Sequence, residues 1–246
     1  MKKVIVITGV GKGFGKDLFL NLVRDYFVIG ISRSQSDIDR LQTECDKLGL
    51  LEFNLVACDV TNFEELETLL SESLMAKTEF LWGIINNAGV RSRKPFLELD
   101  IEEFHNVSNV NLFSPIKLTQ ILLPHLLKNG GGRVINISSI LSKQSLPELS
   151  AYSVSKGGLD AFTRSLAVEF GGSNINCNSI LPGFCKTSYF ENFKKNDTLY
   201  KMTLDKTPLK RWGEAGELIG LCRLLLSNDG AYINGASIPV DGGWLA

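Results

Sequence analysis

A short apolar run, Val4–Ile7, leads straight into Thr8-Gly-Val-Gly-Lys-Gly-Phe-Gly15, and no other segment limits the fold of this chain so tightly. So brief a run of β-branched residues suits a strand buried on both faces. Beyond it Phe14, Leu18, Phe19, Leu22 and Val23 recur at helical spacing as far as Asp25. The junction is filled by Gly9, Gly11, Gly13 and Gly15, which let backbone approach a pyrophosphate closely, and the helix they open offers an N-terminus that favours an anion. An ordinary tight turn between strand and helix would use glycines in the same way.

Six further runs read as strands: Phe27–Ser32, Leu51–Ala57, Phe80–Asn86, Arg133–Ser138, Asn174–Leu181 and Ser237–Val240. Helical patterns fill the gaps between them. Thr61 followed by Glu64 reads as a capping box, and Ala215–Leu226 carries Leu218, Ile219, Cys222 and Leu225 on one face. Strands alternating with helices predict an α/β chain with a parallel sheet. At 246 residues, without repeats or a linker-like stretch, residues 1–246 are expected to form one domain. The polar, basic and aromatic-rich interval 186–213 is the candidate substrate flap, since connections of that length are commonly lids or binding elements.

With 26 basic and 27 acidic residues the net charge is −1, so no overall field draws the chain to nucleic acid or a membrane surface. A small molecule is the expected partner. The five cysteines, at 45, 58, 177, 185 and 222, are scattered and never in CxxC spacing, and only His105 and His125 could join them as ligands. Neither a metal site nor a disulfide framework is expected. The apolar start breaks at the glycines after Ile7 and no run reaches membrane-spanning length, which makes the reducing cytoplasm the expected location.

Eight segments then carry a family resemblance: TGVGKGFG, the CDV of Cys58–Val60, NNAG at Asn86–Gly89, Asn111, NISS at Asn136–Ser139, YSVSK at Tyr152–Lys156, PGFCKT at Pro182–Thr187 and VDGG at Val240–Gly243. In this order and spacing, including Ser139 thirteen residues before Tyr152, the chain resembles the short-chain dehydrogenase/reductases along nearly its whole length, and among them most the bacterial 3-oxoacyl-carrier-protein reductases. The resemblance implies a Rossmann-like, doubly wound parallel sheet of about seven strands with helices on both faces, and ligands beyond the carboxyl ends of the strands. It implies that Gly9, Gly11, Gly13 and Gly15, with Lys12 and Phe14, shape the pyrophosphate loop. Asp59 and Val60 would meet the adenine, Asn87, Ala88 and Gly89 would line the central cleft, and Pro182, Gly183, Cys185 and Thr187 would border the nicotinamide, Thr187 with Cys185 holding its amide. NNAG could equally be a helix-capping turn, and Asp59 a simple cap for the helix begun near Thr61.

A ketone that accepts a hydride becomes an alkoxide, so its site needs a proton donor beside the oxygen and a dipole that favours the developing charge. Tyr152 is the expected donor. An ordinary phenol titrates near pH 10, too high for easy exchange near neutrality, unless a cation favours the phenolate. Lys156, four residues on, shares a helix face with it, and no other tyrosine of the chain has a lysine at that offset. By the resemblance Lys156 also bonds the nicotinamide ribose, Ser139 donates to the substrate oxygen, and Asn111 holds a water beside Lys156 for proton relay. Asn111 could instead mark a helix kink or a core amide, and Ser138 is expected to satisfy backbone at its strand end.

NAD-specific folds place an acid about 20 residues beyond the glycine loop, whereas an arginine accommodates the extra phosphate of NADP. Here Ser32 and Arg33 occupy that place, and the first acid after them is Asp37, inside the next helix. Together with Lys12 this implies, by the resemblance, NADP(H) as the preferred cofactor, with NAD(H) admitted if both cations are merely solvated. Reduction of a ketone such as a 3-oxoacyl thioester is the expected reaction, with a sugar or other small ketone, or a catalytically silent dinucleotide sensor, as alternatives. Bases that would dock an acidic carrier protein are not evident after the active-site helix, which reads EFGGSNINC. Instead Arg91–Lys94, Lys186, Lys194, Lys195 and Lys201 lie near the presumed cleft and fit either an anionic substrate or a solvated face. The resemblance also implies a homodimer or homotetramer joined through helices near Asn111–Leu127 and Ala151–Phe170.

Overall fold

In the computed structural model residues 2–75, 80–187 and 190–246 are described. Val4–Thr8 (β1) is buried throughout, and its side chains alternate between two cores, Val4 and Val6 on one face, Ile5 and Ile7 on the other. This is why the sequence shows a continuous apolar run rather than an alternating one. The chain continues through Gly13–Leu22 (α1), Phe27–Ser32 (β2), Gln35–Lys47 (α2), Phe53–Ala57 (β3), Phe63–Met75 (α3) and Leu81–Asn86 (β4). Ile101–Ser108 (α4), Ser114–Lys128 (α5), Gly132–Ile137 (β5), Ser150–Phe170 (α6) and Ile175–Pro182 (β6) follow. Then come Cys185–Lys186 (β7), Phe190–Lys194 (α7), Asp197–Lys206 (α8), Gly213–Glu214 (β8), Ile219–Leu226 (α9) and Ser237–Val240 (β9).

Among the described residues seven strands form one parallel sheet in the order β3-β2-β1-β4-β5-β6-β9. All seven strands expected from the sequence are present, within a residue or two. The order reverses between β1 and β4, which opens a crevice at their carboxyl ends. Leu66, Leu70, Leu118, Leu122, Leu126 and Leu166 bring α3, α5 and α6 onto one face of the sheet. Leu18, Phe19, Leu22, Leu41, Cys45, Cys222 and Leu225 bring α1, α2 and α9 onto the other.

Three local expectations change. Helix α3 is capped by Asn62, not Thr61: Asn62 Oδ1 accepts from the Glu65 amide at 3.4 Å and Asn62 Nδ2 donates to Glu65 Oε2 at 2.7 Å. Thr61 turns back to Asp59 instead. The pattern 215–226 begins as a 3₁₀ turn, Ala215–Leu218, closed by a Glu214/Glu217 capping box, before α9 starts. The interval 186–213 is not a loop, since it holds α7 and α8; residues 188 and 189 of it lie outside the described residues.

Candidate active site

Thr8, the one polar residue of β1, stitches the first turn to the fourth strand's end. Its Oγ1 accepts from the amides of Asn87 and Ala88, both at 3.0 Å, and Asn87 Nδ2 donates to the carbonyls of Thr8 at 2.9 Å and Gly9 at 3.2 Å. Gly9 has φ +74°, and a Cβ on Gly15 would strike the Gly9 carbonyl.

The crevice has a volume of about 460 Å³. Gly9, Gly11, Lys12, Gly13, Phe14 and Gly15 form one wall, while Ser32, Arg33, Asp59 and Val60 line its outer end. Asn87, Ala88 and Gly89 lie at its centre, with Ser139, Tyr152, Lys156, Pro182, Gly183 and Thr187 at its inner end. Its glycine-shaped wall, the cations Lys12 and Arg33, and the Tyr152 and Lys156 side chains on the same lining fit a dinucleotide. Two expected residues stand elsewhere. Cys185 borders an adjoining cavity of about 80 Å³, and burial pushes its thiol up to about 12, so it stays protonated. Asn111 lies behind Gly89, fully buried, with its Oδ1 accepting from Val90 N at 2.8 Å and its Nδ2 donating to Val90 O at 2.9 Å and Ser155 Oγ at 3.1 Å. It sits in a π-helical turn, Asn109–Phe113, that joins α4 to α5.

At the inner end, Tyr152 and Lys156 are one turn apart on α6. Lys156 Nζ donates to Ile137 O at 2.8 Å and stands 5.9 Å from the Tyr152 ring centre. Ser138 Oγ donates to the Lys156 carbonyl at 3.2 Å, so it satisfies backbone of the helix rather than of its own strand end. Ser139 Oγ accepts from Leu141 N at 3.1 Å and shares a hydrogen bond with the phenol. Burial pushes the Tyr152 phenol up, but the charges of Lys156 and Arg91 and the hydrogen bonds from Ser139 and Arg91 outweigh it, so it ionises below its ordinary value. Burial and, less, the Arg91 charge lower Lys156, against the pull of Tyr152 and Asp160.

A buried ladder holds α6 to the sheet. Asn86 Nδ2 donates to Asn136 Oδ1 at 2.7 Å, Asn136 Nδ2 to Thr163 Oγ1 at 2.8 Å, and the Thr163 and Ser179 hydroxyls meet at 2.8 Å. Buried Asp160 accepts from Ser142 Oγ at 2.7 Å and pairs with Lys143 at 3.3 Å, which fixes the turn after Ser139.

Arg91 is the residue that sequence reading named only within a basic run. Its guanidinium lies 5.0 Å from the Tyr152 ring centre and lines both cavities. The remaining cations of that reading are engaged elsewhere: Arg93 with Glu148 at 2.8 Å, Lys94 with Glu103, Lys186 with Glu214 at 2.5 Å and Lys201 with Asp197 at 2.7 Å. Lys195 bonds Asn192 at 3.1 Å, and Lys194 lies over the Phe190 ring. Asp37, placed by sequence inside α2, also lines the crevice, its carboxylate packed against Gly11 and paired with Arg40. The signal for Asp37 was its place in the first turn of a helix that starts at the strand end. No group of three potential metal ligands occurs among the described residues, and none of their helices is long and apolar enough to cross a membrane.

Comparison with known proteins agrees with this geometry. A family model described as Enoyl-(Acyl carrier protein) reductase matches residues 24–245. The chain is 33% identical to 2-dehydro-3-deoxy-D-gluconate 5-dehydrogenase of Escherichia coli K12, over 99% of this chain and 96% of that one. It is 33% identical to L-xylulose reductase of Mesocricetus auratus, over 98% and 95% of the two chains. A solved structure from Beutenbergia cavernae, with NADP bound at low occupancy, superposes with a TM-score of 0.92 at 28% identity, covering 99% of this chain and 96% of that one. The expected likeness to 3-oxoacyl-carrier-protein reductases in particular is not what these relatives display, and a silent dinucleotide sensor gives way to an enzyme. The protein belongs to the short-chain dehydrogenase/reductase family and is an NAD(P)-dependent oxidoreductase of CH–OH groups.

Proposed function

We propose that the protein interconverts a ketone and a secondary alcohol on a small polyhydroxylated substrate, a sugar or sugar acid, with NADP(H) preferred. The observation that carries the chemistry is Tyr152 held between Lys156, Arg91 and Ser139 at the inner end of the crevice. When bound there, the nicotinamide supplies or accepts the hydride. Ser139 orients the substrate oxygen, the Tyr152 hydroxyl gives that oxygen its proton in reduction and removes it in oxidation, and the charges of Lys156 and Arg91 favour the phenolate. Asn111, pinned behind Gly89, is the proposed support of a relay water beside Lys156; one lone pair of its Oδ1 remains for that purpose.

The substrate class is supported by the names of the relatives, a sugar-acid dehydrogenase and a sugar reductase. A 3-oxoacyl thioester has less support: most cations that could meet an acidic carrier are in ion pairs. Preference for NADP(H) is supported by Lys12, Ser32 and Arg33 on the outer crevice and by the NADP of the Beutenbergia cavernae structure. Residues 186–213 are the proposed substrate flap, within a single domain of residues 1–246.

Nicotinamide absorbance at 340 nm, followed with both cofactors over a panel of sugars, sugar acids and 3-oxoacyl thioesters, tests this reading. Turnover is expected on the first two classes and lost in Tyr152→Phe. Efficient turnover confined to the thioesters would overturn the substrate class.

A further inference from the structure

The smaller cavity adjoins the inner end of the crevice, sharing Phe14, Ser139, Gly183, Thr187 and Arg91 with it. Ile140, Leu141, Phe184 and Trp212 give it apolar walls, and Arg91 is the only charged side chain among its described lining residues. Two hydroxyls, those of Ser139 and Thr187, beside one guanidinium in a largely apolar recess are a setting for a substrate with both a carbonyl and an anion. Apolar walls strengthen a charge pair that water would screen. Arg91 gives a hydrogen bond to Tyr152, yet a guanidinium has five donors in a rigid fork, so the same side chain can grip a carboxylate with two parallel bonds.

We propose that Arg91 binds the carboxylate of the substrate at the mouth of this cavity and so selects sugar acids over neutral sugars. This rests on the sugar-directed reading above and narrows it. Arg93 and Lys94, its neighbours in sequence, do not compete for the role, because Glu148 and Glu103 hold them away from both cavities. A second consequence is geometric: a carboxylate on Arg91 lies next to the phenol, so the anion also registers the ketone against Tyr152.

The test compares 5-keto-D-gluconate with L-sorbose, which differ only in carrying a carboxylate or a hydroxymethyl group at one end. Wild-type protein with NADPH is expected to favour the keto acid at least tenfold in kcat/KM. Arg91→Gln moves the Tyr152 response to higher pH for both substrates alike, but the ratio between the two substrates falls by tenfold or more, chiefly through KM of the acid. Arg91→Lys, which keeps charge but loses the fork, should restore part of the ratio. An unchanged ratio in Arg91→Gln, or a wild-type preference for L-sorbose, would overturn the proposal. If neither sugar is reduced, the sugar reading fails, and levulinate against its methyl ester then decides Arg91 by the same ratio.

Discussion

Tyr152 meets two cations rather than the one that its helical spacing announces, and this sets the direction of its pH response. Lys156 faces it from α6, Arg91 from the segment after β4, and Ser139 bonds its hydroxyl. Because the phenol ionises below its ordinary value, oxidation, which needs phenolate, gains rate as pH rises through that lowered pKa. Reduction, which needs the phenol, loses rate over the same window. Replacing Arg91 by Gln removes one lowering influence, so both limbs should move to higher pH in profiles of kcat/KM; a shift to lower pH would contradict the arrangement. In Tyr152→Phe the turnover should fall by roughly 10²–10⁴-fold, the usual range for a lost proton donor, with the cofactor dissociation constant barely changed. Lys156→Ala should damage both, as the lysine lies on the crevice lining as well as beside the phenol. At the opposite end, Arg33 Nη1 is 3.9 Å from Asp59 and three-quarters exposed, while Asp37 carries its negative charge onto the same lining. Arg33→Ala should therefore lower the NADPH over NADH ratio, and Asp37→Asn should raise it, each read from steady-state efficiencies. Equal ratios in both variants and wild type would mean that neither side chain meets the 2′-phosphate.

Trp212 helps to attach the segment 186–213 to the body. Its ring packs against Phe184, Phe190 and Phe193 at 5.2, 5.0 and 4.8 Å between centres, and its Nε1 donates to Thr203 Oγ1 at 2.8 Å. Trp212→Ala should cost about 3–5 kcal/mol of local stability, typical for truncating a buried aromatic. Proteolysis within 190–206 should then accelerate while β1–β6 stay protected, and KM should rise more than kcat falls; uniform digestion would place Trp212 in the global core instead. The seven strands were legible in sequence because burial on both faces leaves an unbroken apolar signature, as in Val4–Ile7. That Tyr152, Lys156, Ser139 and the glycines share one crevice was legible from their offsets, which fix them at strand ends and on one helix face. Arg91 was not, since a guanidinium over a ring and one in an ion pair have the same sequence appearance. Nor was the helical content of 186–213, because α7 and α8 are short and their pattern is set by a non-local aromatic cluster. Thr61 and Asn62 are equally suited by sequence to cap α3; only the side-chain bonds tell them apart.

Two helices on one side of the molecule leave apolar groups in solvent that their own fold does not cover. On α6 Val154, Ala161 and Val168 are exposed at intervals of seven residues, which keeps them on one stripe. Phe113 and Leu127, at the two ends of the neighbouring segment that includes α5, are also exposed, at 48% and 40%. An apolar stripe of this length on a surface helix favours a contact with another molecule, and for like chains the closed two-fold arrangement is the commonest. The chain should accordingly form a dimer, or a tetramer through a second contact, with α5 and α6 packed against the same helices of a second copy. Such packing would brace α6, whose first turns carry Tyr152 and Lys156, from the side opposite the Asn136–Thr163 ladder. Sedimentation equilibrium at micromolar concentration should give a mass of at least two chains. Val154→Glu with Val168→Glu should return the monomer, because two buried like charges per copy would face each other across the axis. A wild-type mass of one chain at that concentration, or an assembly unaffected by both glutamates, would remove α6 from the interface.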